Sequence, residues 1–306
     1  MRDGAGVGRA LCLLSAACFA ALGIFGKLAY DAGVNVATLL TVRFTLAALV
    51  LGAVLALRPA DRRRLPRRTL LVALALGAVG YATQAGLFFG ALERMDVSLL
   101  SLLLYTYPAM VTLTAIALGR ERPSPRSWLA LGAASAGVAL VLAGAGAGSF
   151  DTVGAAMGLA AAVAYTAYIV VADAEVGGVA PVPLTALVLA GAAVTCGAGG
   201  AATGGLDLGF APEGWLWLVL MALISTVAAA MAFFAGLRRV GPSTAAILST
   251  FEPPVTVGLA ALAFGERLAP VQLAGGALVL SAIALLHARV PDRRRGAPRL
   301  DPVPLP

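Results

Sequence analysis

Long apolar runs alternate with short polar breaks along the whole chain. The runs cover roughly 8–30, 36–57, 69–91, 97–119, 127–145, 153–173, 182–202, 214–236, 243–264 and 270–288. Most are about 20 residues long, the length of a helix that crosses a bilayer at about 1.5 Å per residue. A barrel strand needs about half that and alternates in polarity, which these runs do not do. The breaks carry charge, Pro, Gly or Asp: Asp31-Ala-Gly, the stretch 58–68, Glu93-Arg-Met-Asp, 119–126, 148–151, 173–181, 204–214, 238–242 and 265–269. Breaks this short make neighbouring helices antiparallel. The pattern predicts an all-α integral membrane protein of ten transmembrane helices.

Composition supports lipid as the solvent. Hydrophobic residues make up 60% of the chain and charged residues 12%, about half the charged share of a soluble domain. The lipid bilayer is therefore the first partner, and each span must satisfy its own backbone groups. The net charge of +7 invites a nucleic-acid reading, but the arginines are sorted by topology. With the N-terminus in the cytoplasm and ten spans, only Lys27, Arg94 and Arg267 of the 22 basic residues fall on the outer side, and Arg43 lies within the membrane. That bias orients both termini to the cytoplasm of a plasma membrane, and the Ala- and Arg-rich usage leans bacterial. Arg2 and Arg9 precede the first run in the manner of a signal peptide. The run is long enough to span and no cleavage site follows, so it reads as the first helix. Trp128, Trp215 and Trp217 fall at helix ends, where indoles anchor at the membrane interface. Cys12, Cys18 and Cys196 lie inside apolar runs without metal-ligand spacing, so no metal or cofactor is expected.

Sliding the chain by 145 positions lays LFFGALERMDVS (Leu87–Ser98) over AFFAGLRRVGPS (Ala232–Ser243). The same register sets Tyr107-Pro108 over Glu252-Pro253, Glu121-Arg122 over Glu266-Arg267, and Pro125 over Pro270. The chain thus divides into 1–148, with spans one to five, and 149–289, with spans six to ten, followed by a basic cytoplasmic tail, 290–306, expected to be disordered. Five is odd, so the second copy enters the membrane with opposite polarity. Such inverted repeats serve alternating access around a midplane site.

The stretch STFEPPVTVGLAALAFGERLAPVQLAGGALVLSAIAL (Ser249–Leu285), and its fainter copy LYTYPAMVTLTAIALGRERPSPRSWLALGAASAGVALVL (Leu104–Leu142), carry a mid-helix Pro, Gly-Glu-Arg at the helix end and a Gly-rich final helix. The first copy reads Gly-Arg-Glu-Arg, with one residue inserted. In these features the sequence resembles the drug/metabolite transporter superfamily, of EamA type. The resemblance implies ten helices in two repeats, a central cavity, and export or exchange of metabolites.

Glu252 is the most informative residue. It sits about 13 Å into the ninth run, where an ionisable group costs at least about 2.5–3.5 kcal/mol. A substrate ammonium, a coupling proton or a buried partner would offset that cost. Arg43, about 10 Å into the second run, is its natural partner, or else a site for a substrate carboxylate. Its position in the second copy is held by Val188. Tyr81, Gln84, Tyr105, Tyr107, Tyr165 and Tyr168 offer polar tips for a mostly apolar pocket, Tyr107 foremost because the repeat matches it to Glu252. Pro108 and Pro253 predict kinks lining that pocket, each freeing the carbonyl four residues earlier, at Leu104 and Ser249. Lys27 can snorkel to the interface, and Glu121-Arg122 and Glu266-Arg267 read as fold determinants at helix ends.

These features favour a secondary transporter for small metabolites such as amino acids or drug-like compounds, an exporter or exchanger with a proton as candidate coupling ion. No P-loop for ATP is present. The alternatives are a non-transporting membrane scaffold or receptor, and an intramembrane enzyme. The enzyme is disfavoured because one histidine cannot supply a His-Glu-x-x-His site and Glu252 is the single acid at midplane. No catalytic residue is assigned.

Overall fold

The computed structural model describes residues 2–57, 65–120, 124–144, 151–176 and 179–287. Glu121-Arg122, most of the 58–68 basic stretch and the tail 290–306 lie outside them. The described chain is helical, and two halves follow one another. The first contains α1 (Arg2–Asp31), α2 (Val36–Leu57), α3 (Arg67–Ala75), α4 (Ala82–Leu92), α5 (Val97–Leu104), α6 (Tyr107–Ala117) and α7 (Pro125–Ala143). The second contains α8 (Thr152–Val176), α9 (Pro181–Ala202), α10 (Glu213–Ala222), α11 (Ala229–Val240), α12 (Pro242–Ser249), α13 (Glu252–Phe264) and α14 (Pro270–His287).

Local chemistry sets the helix starts. The Asn35 side chain accepts from the Thr38 N–H at 2.9 Å ahead of α2, and Asp151 accepts from the Gly154 N–H at 2.8 Å ahead of α8. Ser124 accepts from the Ser127 N–H at 3.1 Å, and Pro125 follows it into α7. Each satisfies a donor that a helix start otherwise leaves open, and proline suits a first position that needs no N–H.

Among the described residues eight helical stretches are long and apolar enough to cross a membrane. The two others, Ser127–Ala143 and Pro270–Leu285, are apolar but shorter, below the about 20 residues that fill a bilayer core. Of the ten predicted spans, eight therefore reach membrane-crossing length among the described residues and two do not.

Two kinds of interruption recur in both halves. The fourth and ninth runs are each cut in two. The breaks fall at Tyr105-Thr106 and Thr250-Phe251, which the 145-residue register superposes. Pro108 and Pro253 stand just after the start of the following helix. They open new helices rather than bending continuous ones, which corrects the predicted mid-helix kink. The third and eighth runs each contain a six-residue π-helical segment, Leu76–Tyr81 joining α3 to α4 and Leu223–Ala228 joining α10 to α11. Hydropathy carries no trace of these, because a π segment keeps the run apolar and unbroken.

Packing pairs the halves about each other. Helix α2 lies on α9 and α7 on α14, like on like, while α1 packs against α10 to α13 and α8 against α3 to α6. Small residues permit the close crossings that bind helices where water gives no drive. At the α7–α14 crossing a Cβ on Gly275 would stand 2.5 Å from the Gly137 carbonyl oxygen, and one on Gly137 would stand 2.7 Å from that of Gly275. Only glycine fits either position.

Candidate functional site

The exchange of helices leaves a cavity of about 330 Å³ with walls from both halves. Arg43, Tyr81, Gln84, Tyr107, Tyr165 and Glu252 all line it, with Tyr105, Tyr168, Thr226, Ser249 and Thr256. Phe19, Phe88, Phe89, Phe233 and Phe234 supply much of the apolar surface. The mixture of aromatic wall and a few convergent polar groups is typical of small-molecule sites. Pro108 and Pro253 are not among the walls, because each sits one residue beyond the residue that is, Tyr107 or Glu252.

Glu252 begins α13, just after the break. The Tyr105 hydroxyl lies 2.7 Å from Glu252 Oε2 and 3.0 Å from the Ser249 carbonyl oxygen. Pro253 cannot donate to that carbonyl, so a phenol from the other half of the chain serves it. Thr256 Oγ1 donates to the Glu252 carbonyl at 3.0 Å.

Arg43 is 2% exposed. Its Nε donates to Thr226 Oγ1 at 3.0 Å, and one terminal nitrogen reaches the Tyr81 hydroxyl at 3.5 Å. Those two partners come from the two π-helical segments, one in each half. Thr226 in turn donates to the Met221 carbonyl at 3.0 Å, five residues back, inside its π turn. The guanidinium also lies 5.0 Å and 5.4 Å from the ring centroids of Phe44 and Phe89. Among the described residues Arg43 and Glu252 form no ion pair, so of the two roles open to Arg43 the structure does not show the pairing. Each is held instead by neutral hydroxyls of its own.

Five of the six tyrosines join the two charged poles. Ring centroids step from Tyr105 to Tyr107 at 5.9 Å, to Tyr165 at 4.7 Å, to Tyr168 at 6.0 Å and to Tyr81 at 5.7 Å. Edge-to-face and offset contacts at these spacings are attractive. The arc therefore runs from the partner of Glu252 to the partner of Arg43. Thr226 and Thr256 were the polar site members that the sequence did not single out, because a threonine within an apolar run carries no signal of its own.

At one end of the bundle Lys27 binds Glu266 at 3.2 Å and lies 3.8 Å from Asp96. Glu266 accepts from the Val97 and Ser98 N–H groups at 3.0 Å each and from the Ser98 hydroxyl at 2.7 Å. Val97 is also a cavity wall, so this clasp between halves adjoins the site. Among the described residues no group of three or more His, Cys, Asp or Glu side chains stands close enough to hold a metal ion.

The EamA-like transporter family profile matches the chain twice, over residues 6–143 and 152–288. The chain belongs to the EamA-like transporter family. An uncharacterized transporter of Synechocystis sp. is 30% identical over 196 residues, which is 60% of this chain. The matched part spans 57% of that relative's length. An uncharacterized transporter of Archaeoglobus fulgidus is 27% identical over 221 residues, covering 72% of this chain and 76% of the other. A solved crystal structure shares the fold with a TM-score of 0.62 at 19% identity, covering 91% of this chain and 96% of that one. The family match and the long apolar helices make this a multi-pass membrane protein, and both relatives are named as transporters.

Proposed function

We propose that the chain is a secondary transporter, exporting or exchanging small metabolites by alternating access through its central cavity. In this reading ten helices cross the plasma membrane as two inverted five-helix halves, with both termini in the cytoplasm. The observation that carries it is the Tyr105–Glu252 contact, which ties an ionisable group of one half to a helix break of the other inside a shared cavity.

Hydrogen-bond accounting gives that contact a role. The Tyr105 hydroxyl has one hydrogen and two acceptors in reach, Glu252 Oε2 and the Ser249 oxygen. An ionised Glu252 takes the hydrogen, since a carboxylate is an acceptor only. A protonated Glu252 donates to the phenol oxygen, and the phenol then turns its own hydrogen to Ser249. Protonation thus changes how the α12–α13 break is held, which links a proton to the element that must move. Burying the acid costs a few kcal/mol in the charged form, so a proton or a cationic substrate group is the natural counterpart.

The test uses proteoliposomes loaded with a mixed metabolite extract, with release followed by mass spectrometry. The expected result is selective efflux of a narrow class of compounds, faster under a pH gradient for the wild type and indifferent to it for Glu252→Gln. Absence of selective efflux overturns transport. Efflux from Glu252→Gln that responds normally to the gradient removes Glu252 from coupling.

A further inference from the structure

The proposal above leaves the cargo's chemistry open, and Arg43 bears on it. Its guanidinium is buried and lines the cavity, and among the described residues no carboxylate pairs with it. Buried charges are ordinarily paired, and inside a membrane an unpaired one is costly. Two hydroxyls and two phenyl faces orient the group, but none of them brings a negative charge. Arginine offers five N–H donors in a planar fork. The Nε bond to Thr226 and the single contact to Tyr81 leave the fork's other donors to serve something else.

Resting on the transport reading, we infer that Arg43 binds the carboxylate of the cargo, which is a small organic acid with an aromatic or aliphatic body. The fork matches a carboxylate in two parallel bonds. The body then lies along the tyrosine arc and the phenylalanine wall, whose faces are apolar and whose hydroxyls are few. A free inorganic anion would leave that wall without a partner. Position strengthens the assignment. Arg43 bridges the two π-helical segments, one from each half, and such turns recur where helices serve function. A carboxylate seated on the fork's remaining donors binds the same guanidinium that holds Thr226 and Tyr81, so loading is felt at both π-helical segments together.

The experiment measures binding, not flux, and so stands apart from the transport test. Purified protein in detergent is titrated with 3-phenylpropanoate, its neutral amide and phenethylamine, with thermal stabilisation and calorimetry as readouts. The carboxylate is expected to bind, and the amide and the amine to bind at least about tenfold more weakly, as loss of a charge-assisted pair dictates. Arg43→Gln should abolish the preference for carboxylate over amide, while Arg43→Lys should keep part of it. The wild-type comparison of acid and amide needs no variant, so a poorly folding Arg43→Gln leaves the test intact. Equal binding of acid and amide, preference for the amine, binding by none of the three, or an unchanged preference in well-folded Arg43→Gln overturns the inference. Carboxylate binding without flux would instead count against transport, and selective efflux of cations alone would spare transport and remove the carboxylate site.

Discussion

The Glu266 carboxylate closes the start of α5 by accepting from both the N–H and the hydroxyl of Ser98, at 3.0 and 2.7 Å. Glu266 belongs to the last third of the chain and Ser98 to the first, so the Gly-Glu-Arg motif caps a helix of the opposite half. Gly265, with φ of 68°, is what turns the chain so that Glu266 can reach. A left-handed residue there favours glycine. Glu266→Ala is expected to cost about 1–3 kcal/mol, the range for losing a cap and charged hydrogen bonds. The measurement is the thermal midpoint of detergent-solubilised protein. A midpoint equal to wild type would show that the clasp is dispensable.

The same contact predicts a pH dependence. Burial pushes the Glu266 carboxyl up, but the Ser98 hydroxyl, the Ser98 and Val97 N–H groups and Lys27 outweigh it and hold the group below its ordinary value of 4.5. A depressed carboxylate contributes stability that is complete above 4.5 and is lost as pH falls through the lower folded-state value. Wild type should therefore lose stability relative to Glu266→Gln only on acidification below pH 4.5. A constant gap between the two down to pH 3 would contradict this.

Tyr105→Phe removes the one donor shared by Glu252 and the Ser249 carbonyl. The expected loss is about 1–3 kcal/mol, because two buried acceptors are left open. Tyr107→Phe is the control: its ring packs on Tyr105 and Tyr165, but its hydroxyl makes no hydrogen bond among the described residues. If the two variants unfold at the same temperature, the phenol at Tyr105 does not hold the break.

The α7–α14 crossing separates glycines by position alone. Gly275→Ala drives a methyl against the Gly137 carbonyl and the Val141 N–H, at 2.5 and 2.8 Å. Gly132, on the same helix α7, has nothing within 4 Å of its added Cβ. Gly132→Ala should be neutral or stabilising by up to about 1 kcal/mol, since alanine is the better helix former. Gly275→Ala should lower the thermal midpoint clearly. Similar midpoints for the two would mean that the crossing is looser than described.

Ser225, inside the second π-helical segment, has a buried hydroxyl without a hydrogen-bond partner among the described residues. Ser225→Ala should leave stability unchanged or raise it by about 1–3 kcal/mol, the cost of an unsatisfied buried group. A marked loss of stability would reveal a partner for that hydroxyl.

Much of this protein could be read along the chain. A run of about 20 apolar residues has few folds open to it in lipid, because its backbone must bond to itself. The sequence by itself therefore determined the all-helical membrane class, the order of the helices and the 145-residue correspondence. That correspondence superposes the two breaks at Tyr105-Thr106 and Thr250-Phe251. It also singled out Glu252 and Arg43, since charge within an apolar run is conspicuous.

Tertiary structure decided who meets whom. Helix α1 joins the second half and α8 the first, and no local pattern encodes that exchange. Arg43 and Glu252 looked like partners because depth along a helix was the one coordinate available. Their separation within the cavity depends on how α2 and α13 are turned about their axes, which packing sets. The π-helical segments were silent for a related reason: a change from i−4 to i−5 bonding leaves the hydropathy of a run unaltered. It nevertheless sets which side chains face the cavity, and so it brought Tyr81 and Thr226 to the same guanidinium.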